Sequence, residues 1–458
     1  MHDLLAMTAK RALNYLDGLD TRGVAPAPEA LARLAELGGP LPDAPSDSSD
    51  VIALLDRIGS PATVASTGGR YYGFVVGGAL PAALAASWLA ATWDQNAGMS
   101  VLSPVSAALE VITQAWLLDL LALPAESGVG FVTGATMANL SALAAARHAL
   151  LARVGWDVEA HGLFGAPPIT VVVGDEVHVS VLKALSLLGL GRERIVRVPV
   201  DRQGRLRPEA LPPLAGPTIV CLQTGNVNSG ACDPVDEICA IAHDAGAWVH
   251  VDGAFGLWLA AAPERAHLVR GVAAADSWAT DAHKWLNVPY DCGLVICRQP
   301  QYLRAAMSVN AAYLEQQDMR GEPYQYTPEM SRRARGVEVW AALRALGRSG
   351  VASLIERSCR YATRFAEGLH SAGYQVLNEV VSNQVLVAFG DADTTQQVIA
   401  AIQAEGICWC GGTVWQGRAA MRISVSSWAT TEQDVERSLA SIVRNAAMRN
   451  ALKRVEAV

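Results

Sequence analysis

Lys284 stands between His283 and Trp285 in the run Asp281-Ala282-His283-Lys284-Trp285-Leu286, a few residues ahead of the apolar stretch Gly293 to Cys297. A primary amine flanked by an imidazole and an indole near a strand end can condense with an aldehyde. Its rival reading is a structural lysine. Upstream, Ala247-Trp248-Val249-His250-Val251-Asp252-Gly253-Ala254 reads as an apolar strand ending in a carboxylate and small residues. An acid buried there is costly unless it meets a cation. A helix N-cap or a buried salt bridge is the competing role for Asp252. A third segment, Gly130-Phe131-Val132-Thr133-Gly134-Ala135-Thr136-Met137-Ala138-Asn139, runs from a strand through small and hydroxyl residues into a helix. Free backbone N–H groups and the helix dipole make Gly134, Ala135 and Thr136 candidates to hold a phosphate, though an ordinary capped helix start looks similar. In the fourth, Gly174-Asp175-Glu176-Val177-His178-Val179-Ser180, His178 opens the next helix, where a cap or core histidine is the plainer assignment.

Taken in chain order, these four supply a phosphate grip, a ring-stacking imidazole, a ring-nitrogen acid and an imine lysine. That set describes a site for pyridoxal 5′-phosphate, with Lys284 holding the aldehyde and Asp252 facing the pyridine nitrogen. A protonated ring accepts electrons released at a substrate Cα far better than a neutral one. An amino acid whose α-carboxylate lies perpendicular to the ring would lose CO₂ and become an amine. A general acid must then protonate Cα, with Tyr324 or Tyr326 as candidates and His178 as their rival. The same residues also suit an aldehyde synthase, an aldolase, an aminotransferase or a non-catalytic scaffold that keeps the fold.

The elements that must position these groups follow from periodicity. Asp3 to Leu37 has helical apolar spacing and ends in Gly38-Gly39-Pro40. Two further helical stretches fill Leu80 to Leu123. Short β-rich runs then alternate with helices. Strands are expected at Gly130–Val132, Ile169–Val173, Ile195–Val198, Thr218–Leu222, Trp248–Val251 and Gly293–Cys297, with helices at Met137–Leu151, Val179–Leu188 and Val235–Ala245. This cadence predicts an α/β fold with a mostly parallel sheet flanked by helices, its functional groups at the carboxyl ends of the strands. After Val337 the pattern predicts helices to about Leu346 and over Val351–Leu369, then strands at Gln384–Phe389 and Met421–Ser424. The expected division is a helical segment over 1–70, a large cofactor-binding domain over 71–336 and a small α+β domain over 337–458.

Composition narrows the field. The chain has 458 residues, 51% hydrophobic and 17% charged, with a net charge of -8 and a mean hydropathy of +0.21. This describes a core-rich globular chain rather than a nucleic-acid binder. Eight scattered cysteines show neither a disulfide framework nor metal-ligand spacing, which points to reduced thiols in the cytoplasm and to no metal. No secretory leader is evident at the amino terminus. The apolar run Gly78 to Ala91 is shorter than the roughly 20 residues that cross a bilayer, so no membrane role is expected. Tyr71, Tyr72, Phe74 and Trp93 suggest an aromatic substrate wall or ordinary core. Arg332, Arg333 and Arg335 suggest a carboxylate or interface grip, or a solvated helix start. Trp409 and Trp415, near Gly411-Gly412, suggest closure of the small domain over the site, or simple packing.

The order and wording of these motifs resemble the pyridoxal-phosphate-dependent group II decarboxylases, relatives of aromatic-amino-acid and glutamate decarboxylases within the fold-type-I, aspartate-aminotransferase-like superfamily. The resemblance extends from Tyr71-Tyr72-Gly73-Phe74 through Ser331-Arg332-Arg333-Ala334-Arg335 to Met421-Arg422-Ile423-Ser424. Asp-Ala-His-Lys-Trp-Leu here compares with a usual Asn/Asp-Pro-His-Lys-Trp-Leu. The resemblance implies that Lys284 is the Schiff-base lysine, that Asp252 pairs with the pyridine nitrogen and that His178 stacks on the ring. It also implies that Ala254 lies on the other ring face, that Ala135 and Thr136 hold the phosphate and that Asp281 and His283 border it. It further implies an amino-acid substrate and a homodimer with N-terminal helices around the partner and active sites at the interface. Three departures stand out. Asn226, in Gly225-Asn226-Val227, replaces a usual threonine near the cofactor. Gly69-Arg70-Tyr71-Tyr72 stands where many relatives have His-Pro. The segment Tyr313 to Pro328, matching a mobile catalytic loop, is short and offers Tyr313, Tyr324 and Tyr326.

Overall fold

The computed structural model describes residues 1–308 and 321–456; Tyr313 lies outside them. The chain forms two compact units, one of Met1–Val76, Arg364–Leu377 and Leu386–Val458, the other of Gly77–Thr363 and Asn378–Val385. The chain therefore passes between units at 76/77, 363/364, 377/378 and 385/386, and the sequence suggested 70/71 and 336/337 for the first two. The reason is an anchored helix. Arg335–Ser371 is helical on both sides of Gly347, whose φ of 60° and ψ of 179° break it. Its first residue, Arg335, bonds Asp291 at 3.0 Å, which ties its start to the larger unit.

That unit is built on a seven-stranded sheet. Its strands are β1 Gly128–Val132, β2 Thr170–Gly174, β3 Val196–Val198, β4 Thr218–Gln223, β5 Trp248–Asp252, β6 Ser277–Asp281 and β7 Gly293–Cys297. The spatial order is β1-β7-β6-β5-β4-β2-β3. Strands β2 to β6 are parallel, and β7 runs antiparallel to both β6 and β1, so β1 points the same way as the parallel set. Helix-covered strands of this kind read as near-continuous apolar runs, and β1, β5 and β7 are buried along their whole length. Strand β6 is additional to those expected. Its sequence, Ser-Trp-Ala-Thr-Asp, lacks an aliphatic run, yet it is fully buried because its polar groups find partners inside. Trp278 Nε1 donates to Val272 O at 2.9 Å, and Ser277 Oγ accepts from Trp248 Nε1 at 2.9 Å.

The helix Ala135–Arg153 lies on this sheet and is buried along most of its length. Alanines at 138, 142, 144, 145, 146 and 149 are buried there beside Leu143 and Leu150, in one cluster with residues of the strands. Beside it, Arg332 is not a solvated helix start. Its guanidinium forms a two-point bond to Glu110 at 2.7 and 2.8 Å, with 1% of its side chain exposed. Arg333 pairs with Glu338 at 2.6 Å, and Arg335 with Asp291. Arg332 and Arg335 are thus buried braces, and Arg333, with 41% of its side chain exposed, pairs with its protein acid from the surface.

The other unit holds β8 Gln375–Val376, β10 Gly411–Trp415 and β11 Arg418–Ser424 in a four-stranded sheet ordered β10-β11-β9-β8, in which β9 is Gln384–Ala388. The helix Ala392–Glu405 starts at an Asp391 cap and stops at left-handed Gly406, as such signals dictate. Tyr71, Tyr72 and Phe74, read as a substrate wall or as ordinary core, each contact another aromatic ring, and Phe74 remains exposed. Tyr72 is fully buried, edge-on to Phe365, and its hydroxyl lies 3.3 Å from Ser438 Oγ. Tyr71 stacks on Trp409 at 5.1 Å, and Phe74 leans on the same indole at 5.6 Å. Arg70 is also structural. It is 4% exposed, and its guanidinium donates to the carbonyls of Leu19, Asp20, Arg22 and Ile407. Trp415 is buried. In the larger unit, Trp93 ends the helix Pro81–Trp93 and is exposed.

All eight cysteines are buried and free. No helix among the described residues is long and apolar enough to cross a membrane.

Candidate active site

Five chain reversals at the carboxyl edge of the larger sheet carry the candidate residues. Val132 ends β1 before Gly134, Gly174 ends β2 before His178, Gln223 ends β4 before Asn226, and Asp252 and Asp281 end β5 and β6. Asp252 faces Ala279 across the parallel β5–β6 pair, and Asp281 N–H donates to Ala254 O at 2.9 Å. Asp252, Ala254, Asp281 and Lys284 therefore meet on neighbouring strands.

The lysine is held by a tight turn. Ala282 and His283 both donate their N–H groups to Cys292 O, at 3.1 and 3.2 Å. Asn287, in the left-handed region at φ 59°, returns its N–H to Lys284 O at 3.2 Å. Gly77 packs its Cα on that carbonyl so closely that a Cβ there would overlap it. Lys284 Nζ then reaches Asp281 Oδ2 at 3.1 Å. Asp281 Oδ1 accepts the Ala135 N–H at 2.6 Å, so one carboxylate links the amine to the start of the Ala135–Arg153 helix. Burial pushes the His283 imidazole below its usual range, against the pull of Asp281. Its Nδ1 accepts the Cys292 N–H at 3.1 Å, so the neutral ring carries its proton on Nε2, 3.5 Å from Asp281 Oδ1.

Glycines shape the cradle at this helix start. Gly134, the N-cap, has no side chain to fill the space before the first turn, where the leading N–H groups lack intrahelical acceptors. Gly293 sits between Val132 and Asp281 across β7. A Cβ on Gly293 would overlap the Gly134 Cα. Gly293→Ala should therefore displace the helix start. The expected result is a cofactor dissociation constant raised roughly tenfold, with a stability loss of about 1–3 kcal/mol. Equilibrium dialysis against pyridoxal phosphate and thermal unfolding check both.

Asp252 is 3% exposed, yet among the described residues no cationic side chain pairs with it. Its Oδ2 accepts from Asn139 Nδ2 at 3.1 Å and from Ser180 Oγ at 3.4 Å, and its Oδ1 accepts the Ala254 N–H at 3.1 Å. A buried anion held only by neutral donors is an acceptor for a cation or a charged N–H. His178 stands beside it. Its Nδ1 accepts the Ser180 N–H at 3.2 Å, which caps the helix Val179–Leu187, and lies 2.7 Å from Ser180 Oγ. His178 is thus a helix cap, the plainer of its two readings, and it lines the same narrow cleft as Asp252.

Asn226 turns the chain after β4. Its Oδ1 accepts from Asn228 and Ser229 N–H at 2.9 and 3.2 Å, while its buried Nδ2 has no protein partner. The buried Thr224 Oγ1 at the same strand end is also unpartnered and lies 2.7 Å from where a Gly253 Cβ would stand. Buried polar groups are seldom left unpaired, so these atoms suit a polar ligand. An amine, an isolated carboxylate, a glycine-lined helix start and spare donors together fit pyridoxal 5′-phosphate. Lys284, Asp252, His178, Ala254, Gly134, Ala135 and Thr136 would hold it.

The tyrosines are placed differently. Tyr326 lies with its ring on Gly128, at the amino end of β1, and packs into the cluster under the Ala135–Arg153 helix. Within this chain that is the opposite edge from Lys284. Tyr324 is buried, and its N–H donates to Gly98 O at 2.9 Å. No described contact joins it to Lys284, His178 or Asp252. Asn139, Ser180 and His250 have no role in the sequence reading although they fall inside its motifs. The signal was present: period two on β5 puts His250 on the face of Asp252, and a four-residue step puts Asn139 above Ala135.

The conserved domain of pyridoxal-dependent decarboxylases matches residues 41–390. The chain is similar to the aromatic-L-amino-acid decarboxylase of Drosophila lebanonensis, 31% identical over 74% of this chain and 88% of the relative. The enzyme of that name from Bacillus atrophaeus is also 31% identical, but over 52% of this chain and only 50% of its own length. A phenylacetaldehyde synthase of a Rosa hybrid cultivar is 26% identical over 73% of this chain and 72% of the relative. Among solved structures, Oryza sativa TDC with PLP and tryptamine superposes with a TM-score of 0.89 at 22% identity, covering 98% of this chain and 97% of that one, a likeness of fold. With the family domain spanning most of its length and the lysine, acid and helix start in place, the chain belongs to the pyridoxal-dependent decarboxylase family.

Proposed function

We propose that this protein decarboxylates an aromatic L-amino acid to the corresponding amine and CO₂. The observation that carries the reading is Asp252, an anion buried among neutral donors on the strand beside the one that bears Lys284. Bound pyridoxal phosphate supplies an aldehyde that condenses with the substrate amine and a ring that takes up the electron pair left by the departing carboxylate. Asp252 would hold the ring nitrogen protonated. Lys284 Nζ lies 3.1 Å from Asp281 Oδ2, an acceptor that would hold its proton within the site. His178 Nδ1 accepts the Ser180 N–H, so its Nε2 bears the ring proton and would be the donor to the substrate carbon. The aromatic preference is supported by the decarboxylase relatives.

Asp252→Asn keeps the size of the side chain and removes the charge. Turnover should fall about 10²–10³-fold, as when one charge-stabilising group is lost. Single-turnover kinetics with the preferred substrate measures it. A loss below about fivefold would sink the assignment.

The decisive assay is a panel of amino acids with amine, CO₂, aldehyde and peroxide followed together by mass spectrometry and oxygen uptake. Amine without oxygen uptake is the expected result. The aldehyde-synthase relative supports a second reading, which aldehyde and peroxide in equal amounts would favour. The proposal includes a homodimer with sites at its interface and residence in the cytoplasm. Apolar residues Trp88, Leu89, Val111 and Trp116 on two exposed helix faces support the self-association.

A further inference from the structure

Behind Asp252 lies a row of side chains that none of the steps above uses. Asn139 Oδ1 meets His250 Nε2 at 2.8 Å, His250 Nδ1 meets Ser277 Oγ at 2.9 Å, and Ser277 Oγ meets Trp248 Nε1 at 2.9 Å. Trp248, His250, Asn139 and Ser277 are all fully buried. The direction of the bonds in the row is set from its carboxylate end. Indole can only donate, and an ionised carboxylate can only accept. Asn139 must therefore give its amide N–H to Asp252, which leaves its carbonyl facing His250 and requires a proton on His250 Nε2. Burial pushes this imidazole down to about 4, so it holds one proton only. Nδ1 is then a lone pair that takes the Ser277 hydroxyl proton, and Ser277 Oγ takes the indole N–H.

The reverse arrangement conflicts at the far end. A proton on His250 Nδ1 would set the Nε2 lone pair against the Asn139 carbonyl. The amide would rotate and turn its oxygen on Asp252, two acceptors facing each other in a buried site, a costly mismatch. The tautomer of His250 and the charge of Asp252 are therefore one coupled state. We propose that His250, acting through Asn139, is a positioning residue that keeps Asp252 in the anionic, correctly aimed form that receives the ring N–H of the bound cofactor. This rests on the reading of Asp252 given under Proposed function.

The test uses the protein freed of cofactor and reloaded with either pyridoxal phosphate or its 1-deaza analogue, which has C–H in place of the ring nitrogen. Binding is read by equilibrium dialysis, without turnover. The intact protein should prefer the natural cofactor by roughly tenfold, the scale of one charge-assisted bond. In His250→Phe the preference should fall to about twofold or less, and His250→Gln, whose amide N–H can still reach Asn139, should restore it. Equal weakening of both ligands in His250→Phe, with the preference intact, means mere packing and overturns the inference. Equal binding of both ligands by the intact protein overturns the role of Asp252 itself, so the two failures are distinguishable. Should His250→Phe not fold, nitrogen NMR of the intact protein with labelled histidine decides. A neutral ring with its proton on Nε2 supports the coupling, and a proton on Nδ1 or on both nitrogens at neutral pH overturns it.

Discussion

Lys284→Ala should lose the visible absorbance band of the bound cofactor and at least about 10³-fold of turnover, because no other amine can take its place. Among the described residues it is the lysine that β6 delivers beside Asp281, in a turn closed by two bonds to Cys292 O. The variant should remain folded, since 19% of the side chain is exposed and its removal opens no core cavity. Absorbance of the dialysed protein and a single-turnover assay check both halves. A retained band that borohydride bleaches while fixing the cofactor covalently to another residue would falsify the assignment.

The second large effect concerns stability. Arg332→Met should cost about 3–5 kcal/mol, because it leaves the Glu110 carboxylate buried with its counter-charge gone. Burial already pushes Glu110 above its usual range, and Arg332 supplies the largest opposing pull. Removing both charges in Glu110→Leu/Arg332→Met should be close to neutral, as apolar replacement of a buried pair often is. Calorimetric unfolding of the three proteins measures this. A single-variant loss below about 1 kcal/mol would show the pair to be dispensable.

The sheet was legible in the sequence wherever a strand is an aliphatic run. Val171-Val172-Val173 and Leu294-Val295-Ile296 are such runs, and each lies within an observed strand. Strand β6 escaped because it lacks an aliphatic run and its Ser277 finds its indole partner at Trp248, 29 residues away, which no local pattern contains. The same limit applies at the site. Lys284, Asp252 and His178 are visible because each ends a strand or opens a helix. Asn139 and His250 act only through contacts made across 111 residues of chain. The arginines at 332 and 335 were ambiguous for the same reason, since Glu110 and Asp291 lie outside any window that would pair them. The position of Tyr326 was not legible, because its neighbours in sequence say nothing about which edge of β1 it covers.

Every thiol in the chain is sequestered, and burial pushes Cys221, Cys232, Cys239, Cys297 and Cys359 up to about 12. A chromogenic disulfide reagent mixed with the native protein will thus find almost nothing to react with until the structure breathes. Colour then develops only as fast as the molecule opens. The two units carry their sulfurs separately, Cys408 and Cys410 in one and the other six in the second. The stoichiometry of each kinetic phase consequently reports which half has come apart, a built-in chronometer that needs no added dye site.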